Sequence, residues 1–304
     1  MSLKRSRAAM EGPKTSAPAA ERVSPLLPMF EHFRAELDEH HDRRERMIKA
    51  SRDVTAASKK IIFTLQRVRA LAQPLPQHVH KANTPYQTTI SAQLASVAGD
   101  LQGLNAHRYA RQVSGGCQEW MEAVSFQVYL ETGRLVSWEE ARAMLRAMGR
   151  AGGGGKGEGG GGAVGVELSA EDYVLGIYDM TGELMRFAIT AMAMSGALPA
   201  VSPPPQQHAD ADTAMDVDVD AAAPAQPRTL LTDMRALRAA LESLDPRGSG
   251  PFAKEAEKKA EVMRTSVEKV EKALYGLIVR GAERPKGWMP VEERGGGMAV
   301  GVEG

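Results

Sequence analysis

One cysteine, Cys117, stands in 304 residues. That excludes an intramolecular disulfide and any cysteine-based zinc site, and fits a reducing compartment, cytoplasm or nucleus. Aromatic residues are scarce at 5%, while Ala, Met, Leu, Glu, Lys and Arg are plentiful, a helical composition. No alternating apolar/polar run reads as a strand. Charge of one sign is also missing: 38 Lys and Arg meet 38 Asp and Glu, so the chain as a whole carries no nucleic-acid signature. The longest apolar stretch, Tyr173 to Met194, has the length of a membrane span but contains Asp179, Glu183 and Arg186. Each acid at mid-membrane costs about 2.5–3.5 kcal/mol, so no span is expected. Met1 to Ala20 has no apolar centre, which argues against a secretory signal.

What is present is helical periodicity. From Phe30 to Ala72 a 3,4 spacing picks out Phe30, Phe33, Leu37, Met47, Val54, Ile61, Leu65 and Val68, with no Pro or Gly until Pro74 and Pro76. This predicts one helix on the order of 60 Å long that must lie against a partner element or chain. A second helix is expected after Pro85, broken by Gly115-Gly116, and a third from about Gln118 to Thr132. Ser137 with Glu140 reads as a capping box for a short fourth. Ser169 caps a fifth to about Met194, a sixth covers Thr229–Leu244, and a seventh runs from Phe252 to Arg280. Residues 149–165 contain eleven glycines, and 196–228 are rich in Pro, Ala and Asp. Both read as disordered insertions. Gly154-Gly155-Lys156 lacks the Ser/Thr and the preceding strand of a phosphate loop. The expected architecture is an all-α, single-domain bundle of about seven helices over residues 26–284, with insertions at 149–166 and 196–228 and disordered tails at 1–25 and 285–304. The tail cluster Lys4-Arg5-Ser6-Arg7 has the composition of a nuclear-import signal.

Two of these helices are apolar almost all the way round, yet each carries two acids. At 100° per residue, Glu119 and Glu122 lie about 60° apart and Asp179 and Glu183 about 40° apart, so each pair shares a face. Buried carboxylates are paired or bind a metal, and spacing alone leaves both readings open. An all-oxygen set without His or Cys suits Mg²⁺ or Mn²⁺ rather than zinc. Such ions on clustered carboxylates serve phosphodiester cleavage. The only cation near them on their own helices is Arg186.

Between Arg43 and Arg69 nine Lys and Arg meet two acids, a local charge of +7. That stretch, with Arg43, Arg44, Lys49 and Arg52, is either a solvated face or a track for nucleic-acid phosphates. His40-His41 and His78-x-His80 lack acid or Cys partners at ligand spacing. Cys117 reads as a small buried residue.

The segment His41–Thr55 resembles the first helix of the translin family. The runs Gln118–Phe126 and Asp172–Arg186 resemble the two most distinctive motifs of its factor X branch, and the likeness extends over about Phe30 to Arg280 outside the insertions. It implies a seven-helix fold that assembles with translin into a hollow, roughly octameric shell. It further implies that factor X subunits cleave single-stranded or nicked RNA, including passenger-strand fragments in RNA silencing and tRNA-derived pieces, with Mg²⁺ on acids matching Glu119, Glu122, Asp179 and Glu183. The rival expectation is a non-catalytic helical scaffold or nucleic-acid-binding partner, with interhelical salt bridges at those acids.

Overall fold

The computed structural model describes residues 24–151, 165–201, 228–244 and 250–280. They form seven α-helices: α1 Leu27–Leu65, α2 Gln77–Ala98, α3 Leu104–Thr132, α4 Trp138–Ala151, α5 Ala170–Ser195, α6 Leu230–Glu242 and α7 Pro251–Arg280. Among the described residues, strand-like pairing is limited to one isolated bridge, Ala200 with Thr229. Both expected tails, and Lys156 with its glycines, lie outside the described residues apart from the margins of the boundaries.

The chain divides into one unit ending at Arg43 and another beginning at Arg44. In the first, Leu27, Phe30, Phe33 and Leu37 keep their helical spacing and are all exposed. In the second, the α1 seam continues through buried Met47, Val54, Ser58, Ile61 and Leu65. The helix does not run on to Ala72 as expected. It ends at Leu65, before either proline, because Val68, Leu71 and Leu75 turn into the core and Gln66 reaches α5. Ala72 completes that turn at φ 56°.

Two further expectations are corrected. Pro85 lies inside α2 rather than at its start, since Val79 and Asn83 before it are already buried. Losing one ladder donor there does not end the helix. Gly115-Gly116 does not break a helix either but sits within α3, which begins at Leu104. Gly116 is there for clearance: a Cβ would stand 2.9 Å from the carbonyl oxygen of Ser51 on α1. The capping boxes of α4 (Ser137, Glu140) and α6 (Thr229, Thr232) form, and Gly133 ends α3 in the left-handed conformation.

α5 is the central helix, packed against α3, α4, α6 and α7. Leu175, Ile177, Met180, Leu184 and Phe187 are buried along it. Two of its tyrosines pin it at both flanks: Tyr173 Oη donates to Val136 O at 2.8 Å and Tyr178 Oη to Leu241 O at 3.1 Å. The described residues on either side of the two insertions are tied to the fold. Val201 N donates to Arg228 O at 2.8 Å, and Arg142 and Arg146 of α4 hold Glu167 beyond the glycine-rich stretch.

The spacing between α3 and α5 depends on Gly176. A Cβ there would meet Met121 Cβ at 2.7 Å and Gln118 O at 2.9 Å, whereas Gly182, six residues on, has open space. Gly176→Ala is therefore expected to destabilise by about 1–3 kcal/mol through overpacking. Gly182→Ala is expected to be neutral or stabilising by up to about 1 kcal/mol. Denaturant midpoints of the two variants check the contrast, and equal midpoints would remove the close-packing argument.

Candidate functional site

The α3–α5 contact that Gly176 permits places the two acid pairs opposite one another. Glu119 and Glu122 project from α3, Asp179 and Glu183 from α5. All four are close enough for their charges to act on one another: Glu122 is perturbed by Glu119, Asp179 and Glu183, and Glu119 by Asp179 and Glu183.

Three of the four acids face a cation. Lys59 of α1 lies 3.6 Å from Glu119 Oε2. Lys259 of α7 donates to Asp179 Oδ2 at 2.5 Å. Arg186 donates to Glu183, which also accepts from Gln66 Nε2 at 2.7 Å. Among the described residues Glu122 has no ion-pair partner. Burial first, then its three acidic neighbours, push the Glu122 carboxyl up to about 8 from 4.5, with Lys259 opposing. Burial also raises Glu119 and Asp179, against the pull of Lys59 and Lys259 respectively.

Lys59 and Lys259 were not singled out by sequence reasoning. The i,i+4 spacing of Glu255 and Lys259 suggests a surface pair on α7, but Lys259 turns inward and Glu255 faces Lys258 at 3.9 Å instead. A signal was available. Phe252, Ala256, Lys259, Met263, Ser266, Val270, Ala273 and Leu277 follow a 4,3 spacing, and Lys259 is the one charge in that seam. Glu268 and Lys272, at the same i,i+4 spacing on α7, do pair at 3.7 Å.

The basic face divides between the two units. In the first, Arg43 is bound to Glu39. In the second, Arg44 pairs with Glu45 at 3.2 Å, and Lys49 and Arg52 are exposed. Arg52 and Lys59 are seven residues apart and share a face within about 20°, so this basic stripe reaches the acid site at Lys59.

The remaining candidates keep modest roles. His78 and His80 are exposed, and His40 lies 3.9 Å from Glu36 of its own helix. Cys117 is buried, and burial drives its thiol pKa well up, which leaves it unreactive. Among the described residues no group of three or more His, Cys, Asp or Glu side chains is drawn together tightly enough to hold a metal ion.

Comparison with known proteins adds the lineage. A model of the translin family matches residues 42–281. The chain belongs to the translin family. It is 33% identical over 277 residues to "Translin-associated protein X" of Mus musculus, covering 88% of this chain and 83% of that one. It is also 33% identical over 162 residues to "Translin-associated protein X homolog" of Schizosaccharomyces pombe, covering 53% of this chain and 61% of the relative. Among solved structures it is similar to "Crystal structure of apo-NeC3PO", with 13% identity, a TM-score of 0.49, and coverage of 82% of this chain and 99% of that one. The family match takes in α2 to α6, all but the first part of α1, and α7 to its last residue. It therefore contains all four acids and both lysines.

Proposed function

We propose that this chain is the catalytic subunit of a metal-dependent endoribonuclease that works in a hetero-oligomer with translin. In this reading Glu119, Glu122, Asp179 and Glu183 hold Mg²⁺ or Mn²⁺, and the reaction is phosphodiester cleavage of single-stranded or nicked small RNA. Its setting would be the cytoplasm and nucleus; among the described residues no helix is long and apolar enough to cross a membrane. The observation that carries the reading is the convergence of four carboxylates on one helix crossing, with Glu122 lacking an ion-pair partner among the described residues.

The donor set fits a hard divalent ion in kind, being oxygen alone, but not in its present spacing, where three of the acids are drawn to cations rather than to one another; their mutual repulsion is the charge such an ion would relieve. When bound, the ion supplies Lewis acidity toward the phosphodiester and eases deprotonation of water. The chain's own residues do the rest. Lys59, 65% exposed, ends the basic stripe beside Glu119 and is placed to meet an incoming phosphate. Gln66 and Arg186 hold the Glu183 carboxylate in place from two sides.

A second reading has an observation of its own. Three of the acids are already in ion pairs, and two of these, Lys59–Glu119 and Lys259–Asp179, bridge helices as a scaffold would have them. The deciding experiment is cleavage of single-stranded RNA by the complex co-purified with translin, with Mg²⁺ or with a chelator, alongside Asp179→Asn. Cleavage that survives both chelation and the substitution, in an assembly of normal size, would falsify the metal reading.

The phosphate track is testable separately. Arg43 and Arg44 are engaged with Glu39 and Glu45, so the larger effect is expected at Lys49 and Arg52. Converting both to Glu should weaken RNA binding and flatten the salt dependence, with the log–log slope falling by about 1.4 for two lost phosphate contacts on a single strand. An unchanged slope would remove these residues from the track.

A further inference from the structure

Lys259 is held differently from the other two cations of the acid site. Lys59 and Arg186 have side chains 65% exposed and reach the acids from the rim. The Lys259 side chain is 16% exposed. Its ammonium has three donors, and three acceptors meet it: Asp179 Oδ2 at 2.5 Å, Gln118 Oε1 at 3.2 Å and Leu175 O at 3.5 Å.

Two of those acceptors are neutral and are themselves fixed. Leu175 O belongs to the α5 backbone. Gln118 Nε2 donates to Ser114 Oγ and to Asp172 Oδ1, each at 2.9 Å, so its amide is oriented with the oxygen toward Lys259. Asp172 in turn accepts from Ser114 Oγ at 2.5 Å, and its backbone N–H donates to the α5 cap, Ser169 Oγ, at 3.0 Å. The cradle is thus built from the first turn of α5 upward, independently of Asp179. An ammonium held by Asp179 alone would leave when that carboxylate engaged an ion. This one has two further partners, Gln118 Oε1 and Leu175 O.

We propose that Lys259 is a positioning residue of the candidate metal site: anchored on Gln118 and Leu175, it holds Oδ2 of Asp179 and leaves Oδ1 as the oxygen offered to the divalent ion. This rests on the metal reading above. A carboxylate with one oxygen tied is a ligand of defined orientation, and losing such an outer partner typically lowers metal affinity about 10- to 100-fold. The alternative role, a loose ammonium competing with the ion for Asp179, has the opposite sign, because removing it would tighten binding.

The test is a titration of the metal-free complex with Mn²⁺ alone, following free Mn²⁺ by electron paramagnetic resonance. Lys259→Met is expected to weaken binding about tenfold or more, Lys259→Arg to recover most of the loss, and Gln118→Leu to fall between. A Lys259→Met complex that binds Mn²⁺ as tightly as the wild type, or more tightly, overturns the proposal. If that variant does not assemble, Gln118→Leu decides, since it leaves every charge in place, and unchanged affinity there is the overturning result. Asp179→Asn in the same titration separates the two levels. If Asp179→Asn loses Mn²⁺ affinity and Lys259→Met does not, only the Lys259 assignment fails. If Asp179→Asn binds normally, the metal reading itself fails.

Discussion

Asp179→Asn is expected to lower Mg²⁺-dependent cleavage of single-stranded RNA by about 100- to 1,000-fold, the usual loss when one preorganised electrostatic group leaves an active site. Asparagine keeps the size of the side chain and an oxygen for Lys259, so the change removes charge and little else. Lys259 retains Gln118 Oε1 and Leu175 O as partners, which limits the cost of leaving it beside a neutral amide. The complex should therefore keep its size while its rate collapses. The scaffold reading gives the reverse result. If the Lys259–Asp179 pair exists to hold α7 on α5, removing one partner of this half-buried pair loosens that contact, and assembly should fail. Size-exclusion chromatography and a cleavage assay on the same preparation distinguish the two.

The metal-free protein is expected to lose stability as pH rises from about 4.5 to 8, and Glu122→Gln to abolish much of that loss. The Glu122 carboxyl is raised from 4.5 to about 8 in the fold. Between those values the folded state holds a proton that the unfolded state has released. Stability from this group is present below the unfolded value and is lost as pH climbs through the window, by up to about 1.4 kcal/mol per pH unit. Thermal melts of the metal-free complex at pH 5 and pH 8.5 read the slope, and the difference between wild type and Glu122→Gln isolates Glu122 from every other titrating group. Mg²⁺ should restore wild-type stability at the upper end and do less for the variant. Parallel slopes in the two proteins would mean that Glu122 is not charged at a cost in the folded state.

Both experiments act on features legible in the sequence to different degrees. The placement of Glu119 with Glu122, and of Asp179 with Glu183, on single helix faces followed from the 100° step alone. The caps at Ser137 and Ser169 are legible as well, because each depends on neighbours within one turn. The errors came where a local signal met a distant partner. Gly115-Gly116 reads as a break until Ser51 of α1 is seen to need that clearance. Pro85 reads as a start until the burial of Val79 and Asn83 extends α2 ahead of it. The prolines mark the end of α1 in the sequence, yet the chain turns where Val68 and Leu71 find the core.

By itself, then, the sequence determined an all-α chain without disulfides, its seven helices in order, and two acid pairs too apolar in their setting to be ordinary surface charge. These are consequences of composition and helical period, which act locally. Only the tertiary structure decided that the two pairs meet across Gly176, and that Lys59 and Lys259 come to them from helices far away in the chain. It alone left Glu122, among the described residues, without an ion-pair partner. Those facts depend on which helix faces pack together and how closely, and no periodicity within one helix encodes the distance to another.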